Sequence, residues 1–353
     1  MTNTQQQQLT QGTNGLEVIG YLIENNLEVK KTRDGLGTYV RGRLTVRTGE
    51  NEDHILEVFE MSKTKSGNEN SAFTSITTAM KNMKSLAEIV AEMDEEELAE
   101  LKIEELEELT YLQANGHLAI NDYFDLKTNK LVSYPQLKAR YLSTKQGFDN
   151  NGNKRPSKAE FKVSGIIDKL NEKEENGEPV LDISLLVPDW RGQIEPMDFV
   201  VRDPQGVEAI SSMFGVGEPF FITSGMVRNF FKEEQVVKEA MWGAPEVTTV
   251  RKALREWQVK GMTRPEGTNY EDNPELVRDA KNAREQFLAT LEPKARKRQN
   301  AQNDTQEATN PFEKTTATTP AANNDPFAVN TNAKTKTEEV PVEAFEELGD
   351  LFG

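Results

Sequence analysis

Between Tyr39 and Arg47 the chain alternates with a period of two. Val40, Gly42, Leu44 and Val46 fall on one side; Tyr39, Arg41, Arg43, Thr45 and Arg47 fall on the other. Successive side chains of a strand point to opposite faces, so this stretch predicts a strand with a core face and a solvent face. The solvent face carries three guanidinium groups and a ring. Leu16–Tyr21 and Leu22–Val29 also read as extended, and Asp34-Gly-Leu-Gly37 reads as a turn. His54–Met61 predicts a further strand, with Leu56 and Val58 opposite Phe59 and Met61. From about Ser71 a helix is expected, because Phe73, Ile76, Met80, Met83, Ala87 and Val90 recur at helical spacing as one core stripe. Strand patterns return at Gly116–Leu126 and Leu131–Leu142. The order is three strands, a helix, two strands.

The same order repeats further on. Phe161-Lys-Val-Ser-Gly-Ile-Ile echoes Leu16-Glu-Val-Ile-Gly-Tyr-Leu, with glycine at the same place. Val180–Val187 predicts a strand with Leu181, Ile183, Leu185 and Val187 inward, and Met197–Arg202 predicts another. Asp203-Pro204 is a cap followed by proline at the first helical position, opening a short helix through Met213. Glu218–Phe231 and Val247–Val259 read as extended, the latter carrying Arg251, Lys252, Arg255 and Trp257. Asn273-Pro274 opens a helix striped by Leu276, Ala280, Ala283, Phe287 and Leu291, ending in the basic cluster Lys294-Ala-Arg-Lys-Arg298. The expected division is a disordered start over 1–14, a first domain over 15–147 with an acidic helical insertion at 91–109, and a linker at 148–158. A second domain follows over 159–262, then a docking helix with its basic cluster over 263–299 and a disordered acidic tail over 300–353. The fold class is α+β, mainly β with helices.

Charge changes the picture through its distribution. The chain carries −17 overall. Ala91–Glu108 holds ten acidic residues and one lysine, and 301–353 holds ten acidic residues and three lysines. Those segments account for −9 and −7, leaving the rest near −1 with local basic patches. There is no cysteine, which excludes a disulfide framework, a thiolate metal site and a cysteine nucleophile. With only His54 and His117, a histidine metal site is not expected. Phosphate-loop and zinc-protease motifs are absent, and Gly35-Leu-Gly37 and Gly215-Val-Gly217 read as turns. No enzyme, cofactor or metal is expected. No apolar run is long enough to span a membrane, and the expected location is cytoplasmic, that of a host bacterium if the chain is encoded by a phage.

Arginine forks match phosphate oxygens and stack on bases, and aromatic rings offer a base their π-face. Arg41, Arg43 and Arg47 are therefore candidate contacts for single-stranded nucleic acid, with Tyr39 and Phe59 as stacking platforms and Lys63 and Lys65 adding charge. The competing reading is a solvated face whose arginines pair with nearby glutamates. Partial burial is expected more for Phe59 than for Tyr39. In the second domain, outward Asp182 and Ser184 are not basic, which leaves Trp190 and Arg191 as its best candidates. The tail ends in carboxylates punctuated by Phe345, Leu348, Asp350, Leu351 and Phe352. A tail serving solubility alone would not need large apolar residues there, whereas a docking peptide would.

Two units of three strands, a helix and two strands resemble tandem OB-folds, five-stranded barrels that bind oligonucleotides on the face of strands two and three. With the arginine strand and the acidic–apolar tail, the chain resembles the single-stranded DNA-binding proteins of bacteria and their phages. That resemblance implies binding rather than catalysis: coating of single-stranded DNA, and recruitment of replication or recombination proteins through the tail. Here Gly353 follows Leu351-Phe352, a departure from the bacterial ending in an apolar pair. A protein-interaction or mediator module of the replisome, and a phage structural β-protein, are the alternatives.

Overall fold

The structure is a computed structural model describing residues 8–33, 35–94, 110–144, 155–238 and 246–307. The acidic run over 95–109, most of the expected linker and the tail from 308, including Phe345, Leu348, Asp350, Leu351 and Phe352, lie outside the described residues. Eleven strands form one sheet among the described residues.

The first half contains β1 (Asn14–Asn25), β2 (Glu28–Lys31), β3 (Thr38–Gly49) and β4 (Glu52–Met61). Helices α1 (Ser71–Ala79) and α2 (Leu86–Glu92) follow, then β5 (Tyr111–Asp125) and β6 (Lys130–Thr144). β1 pairs antiparallel with β3 and β3 with β4; β4 pairs parallel with β6, β6 antiparallel with β5, and β5 antiparallel with β1. The pairings return to where they began. The inner face is the one the alternation predicts: Val40, Leu44, Val46, Leu56 and Val58 are buried with Leu16, Val18 and Leu22. α1 is capped by the Asn70 side chain and turns Ile76 and Ala79 into this core.

The second half repeats the cycle with β7 (Lys158–Glu175), β8 (Glu178–Pro188), β9 (Ile194–Val201), α3 (Pro204–Met213), β10 (Pro219–Lys238) and β11 (Glu246–Thr263). β7 pairs with β8, β8 with β9, β9 parallel with β11, β11 with β10, and β10 with β7. Leu181, Ile183, Leu185 and Val187 face inward as the pattern predicts, and α3 starts on the expected cap, Asp203. The repeated glycine has a physical cause. A Cβ on Gly20 would lie 2.1 Å from the Arg47 carbonyl oxygen, and one on Gly165 would lie 2.5 Å from that of Leu186. In each half the first strand presses its glycine against a backbone carbonyl of the strand it pairs with. The halves are joined by antiparallel pairing of β1 with β7.

Several expectations are corrected. The stripe from Phe73 to Val90 is two helices, because Ser85 opens α2 with a capping box to Glu88. Residues 8–13 are ordered against the second half. Leu9 is buried there, and Thr10 donates through its backbone N–H to Asn269 Oδ1 at 2.8 Å. The expected C-terminal helix is a pair, α4 (Pro274–Ala289) and α5 (Leu291–Glu307). α5 therefore runs through the expected boundary at 299 and past the basic cluster. α4 docks through Ala280, Leu276 and Val277, while Phe287 stays exposed.

Candidate nucleic-acid interface

β3 changes partner along its length. Thr38–Arg41 pair with β2, whereas Leu44–Arg47 pair with β1. β1 and β2 run in the same direction along β3 and are separated by a break at Asn26-Leu27, and Gly42 makes room for that break. Gly42 has φ +140°, and a Cβ there would lie 2.0 Å from the Asn26 carbonyl oxygen. Beside this junction the backbone N–H of Asn26 donates to the Arg43 carbonyl at 2.9 Å. The glycine in the middle of the arginine strand thus sets how β2 lies beside the row.

On the outer face Tyr39 stands opposite Met61, Arg41 opposite Phe59, Arg43 opposite Glu57, Thr45 opposite Ile55 and Arg47 opposite Asp53. Every arginine of the row is ion-paired. Arg41 Nε contacts Glu28 at 2.9 Å and Arg43 Nε contacts Glu57 at 2.6 Å. Arg47 donates to both carboxylate oxygens of Asp53, at 2.8 and 3.0 Å, and this hydrogen bonding raises the Arg47 pKa. The pairing reading of the arginines is therefore correct as geometry. Pairs of this exposure contribute about 0–1 kcal/mol each, so a phosphate can replace the carboxylate at little cost.

The aromatic pair lies where the strand register places it. Tyr39 and Phe59 ring centroids are 5.7 Å apart, tilted by 41°. Phe59 is 62% exposed, which overturns the expectation that it would be the more buried of the two. Its parity carries the reason: His54, Leu56 and Val58 are buried, so Ile55, Glu57, Phe59 and Met61 face out. Ile55 and Met61 extend the apolar strip, and sequence reasoning did not single them out as site residues. Lys63 and Lys65 follow β4 in an exposed loop that closes on Asn70 and have no ion pair among the described residues.

Trp190 and Arg191 are not brought to this face. They sit in the β8–β9 turn of the second half, with Trp190 66% exposed and Arg191 5.1 Å from its ring centroid. Arg191 also pairs with Asp189. The β10–β11 hairpin does reach the first half. Phe230 pairs with Glu52, Arg228 Nε lies 3.3 Å from Glu52, and Asn229 donates to the Asp53 carbonyl. Asp53 thus joins the arginine row to the second half. Of the basic residues predicted on β11, Arg255 donates to Asn229 at 3.1 Å; the side chains of Arg251 and Lys252 lie outside the described residues.

The two histidines are held neutral by their surroundings. Burial lowers His54 to about 4, and Arg228 adds to that effect while Asp53 opposes it. Burial also lowers His117 to about 4, helped by Lys138 and Arg140 and opposed by Glu60. Among the described residues no group of three or more His, Cys, Asp or Glu is placed to hold a metal, and no helix is long and apolar enough to cross a membrane.

The family model for YorF matches residues 13–294, from the start of the first cycle into α5. The chain belongs to the YorF family. No curated protein matches it. Among solved structures, this YorF-family chain is similar to the wild-type single-stranded DNA-binding protein of Thermus aquaticus, at 11% identity and a TM-score of 0.43. That match covers 72% of this chain and 94% of that one. A deletion mutant of the same Thermus aquaticus protein is similar at 12% identity and a TM-score of 0.39, covering 72% and 95%.

Proposed function

We propose that the outer face of β3 and β4 binds single-stranded DNA. One observation carries the reading: Phe59 is left largely in solvent beside Tyr39, in line with three guanidinium groups on the same sheet face. Exposing a phenylalanine sacrifices the roughly 1.5–3 kcal/mol that its burial would contribute. A stacking platform gives that exposure a use, since each stacked base contributes about 1–3 kcal/mol. The cyclic pairing in each half, with its helix after the third strand of the cycle, supports reading both halves as OB-type barrels. In this reading the protein coats single-stranded DNA in a phage or bacterial replication or recombination system, in the cytoplasm and without catalysis. Its acidic tail recruits partner proteins.

The ion pairs on Arg41, Arg43 and Arg47 favour a second reading, in which the same face binds a protein partner and the apolar strip of Ile55, Phe59 and Met61 is the contact. Fluorescence anisotropy of a labelled oligo-dT separates the two. Tight binding that is weakened in Phe59→Ala and lost in the combined Arg41→Ala, Arg43→Ala, Arg47→Ala variant, with weak binding to duplex, is the expected result. No binding by folded wild type at low salt would reject the DNA reading in favour of the protein one.

A further inference from the structure

A second cationic surface lies on α5, on the side of the helix away from its meeting with the β5–β6 turn. Arg296 fixes the meeting. Its Nη2 donates to Asn129 Oδ1 at 2.6 Å, and its guanidinium carbon lies 5.7 Å from the Phe124 ring centroid. Arg296 also pairs with Glu292 one helical turn earlier. Behind it, Arg284 of α4 pairs with Asp122 of β5 at 2.5 Å. The start of α5 is thereby held against the tip of the β5–β6 hairpin.

Lys294, Lys297 and Arg298 occupy positions i, i+3 and i+4 and so share one face of α5. None of the three has an ion pair among the described residues. This is the reverse of β3, where each arginine has its carboxylate. The cations are exposed and contribute nothing to a core. In a chain of −17, grouping three cations on one helical face makes a local positive field. An aromatic surface accompanies them: Phe287 is 45% exposed, with Lys294 Nζ 5.8 Å from its ring centroid.

We propose that this surface is a second contact for single-stranded nucleic acid. Phosphates are held on Lys294, Lys297 and Arg298, and Phe287 faces a base. The inference rests on the β3–β4 reading and extends the strand's path onto the C-terminal helices. An acidic peptide would meet the same cations, but it has no use for an exposed ring carrying a cation at its face.

The test measures affinity of the full chain for a labelled oligo-dT against salt concentration. On single strands each phosphate contact contributes about 0.7 to the slope of log affinity against log salt. The combined Lys294→Ala, Lys297→Ala, Arg298→Ala variant should lower the slope by about 2 and weaken low-salt binding roughly tenfold. The charge-keeping pair Lys294→Arg, Lys297→Arg should leave both near wild type. A control removing the same charge from exposed sites elsewhere, Lys81→Ala, Lys169→Ala and Lys260→Ala, should also leave the slope in place. A folded α5 variant with wild-type slope and affinity would overturn the inference while leaving the β3–β4 reading standing, provided Phe59→Ala still weakens binding. Equal losses in the α5 variant and the control would overturn it too, as would capture of an acidic peptide with an unchanged DNA slope. Failure of wild type to bind oligo-dT at all would remove both readings.

Discussion

The Phe59 ring stands 5.7 Å from that of Tyr39, across the pair of strands that also carries the arginine row. Because Phe59 is 62% exposed, it can be removed without opening a cavity. Phe59→Ala should weaken oligo-dT binding by about 5- to 150-fold, the equivalent of 1–3 kcal/mol, and move the melting temperature little. Phe59→Trp should retain binding. Anisotropy titration beside a thermal melt checks both.

Glu57 holds Arg43 at 2.6 Å and so competes with any phosphate for it. Glu57→Gln keeps the shape and removes the charge. Single-strand affinity should rise a few-fold at low salt, with the gain shrinking as salt screens the site. Stability should change by about 1 kcal/mol or less, as for other exposed pairs. Titrations at two salt concentrations decide it; a fall in affinity would mean that the pair organises the site rather than masking it.

Gly42→Ala should be costly. The residue sits at φ +140°, and the added Cβ would meet the Asn26 carbonyl oxygen at 2.0 Å, which is backbone and cannot swing away. A loss of at least about 2 kcal/mol in urea unfolding is expected, with weaker DNA binding in the folded fraction. Gly15→Ala serves as the comparison, since a Cβ there meets nothing within 4 Å. It should change stability by about 0.5 kcal/mol or less.

The histidines predict an acid-sensitive fold. His54 and His117 are each lowered to about 4, chiefly by burial, against about 6.5 in an unfolded chain. Between those values the unfolded state binds more protons. The stability these residues allow is therefore complete above about pH 6.5 and is lost as pH falls toward 4, on the order of 3 kcal/mol per group. Glu195, whose pKa burial raises, acts in the opposite direction. Urea midpoints should fall between pH 7 and pH 5, and His117→Gln should flatten that fall.

Much of the candidate β3–β4 face was legible because a two-residue period maps onto a sheet without knowledge of the fold. Val40, Leu44 and Val46 are inside, and Tyr39 and the arginines are outside. The same parity exposes Phe59, so the signal for it was present and was outweighed by the general tendency of phenylalanine to be buried. Ser85 and Glu88 likewise marked the start of α2 by their spacing. The arginines' partners were not legible: Glu28 and Glu57 are 13 and 14 residues from Arg41 and Arg43 and reach them only through strand register. α5 was hidden because its sequence has little apolar stripe of its own, and its docking depends on Arg296 finding Asn129, 167 residues earlier.

Tyr270 closes the molecule in a way that bears on how a bound strand would be measured out. Its hydroxyl donates to the Thr10 carbonyl at 2.8 Å, and its ring lies with Leu9 and Ala280 in a buried cluster. The earliest described segment and the C-terminal helices are thus fastened to the second half, while the same helices reach Asp122 and Asn129 of the first. With β1 stitched to β7 as well, the halves are not beads on a string. If the proposed strand path holds, they would act as a ruler: a strand crossing from one to the other would meet a fixed spacing and angle, so the length of DNA engaged should change in steps set by the protein rather than drift with a tether.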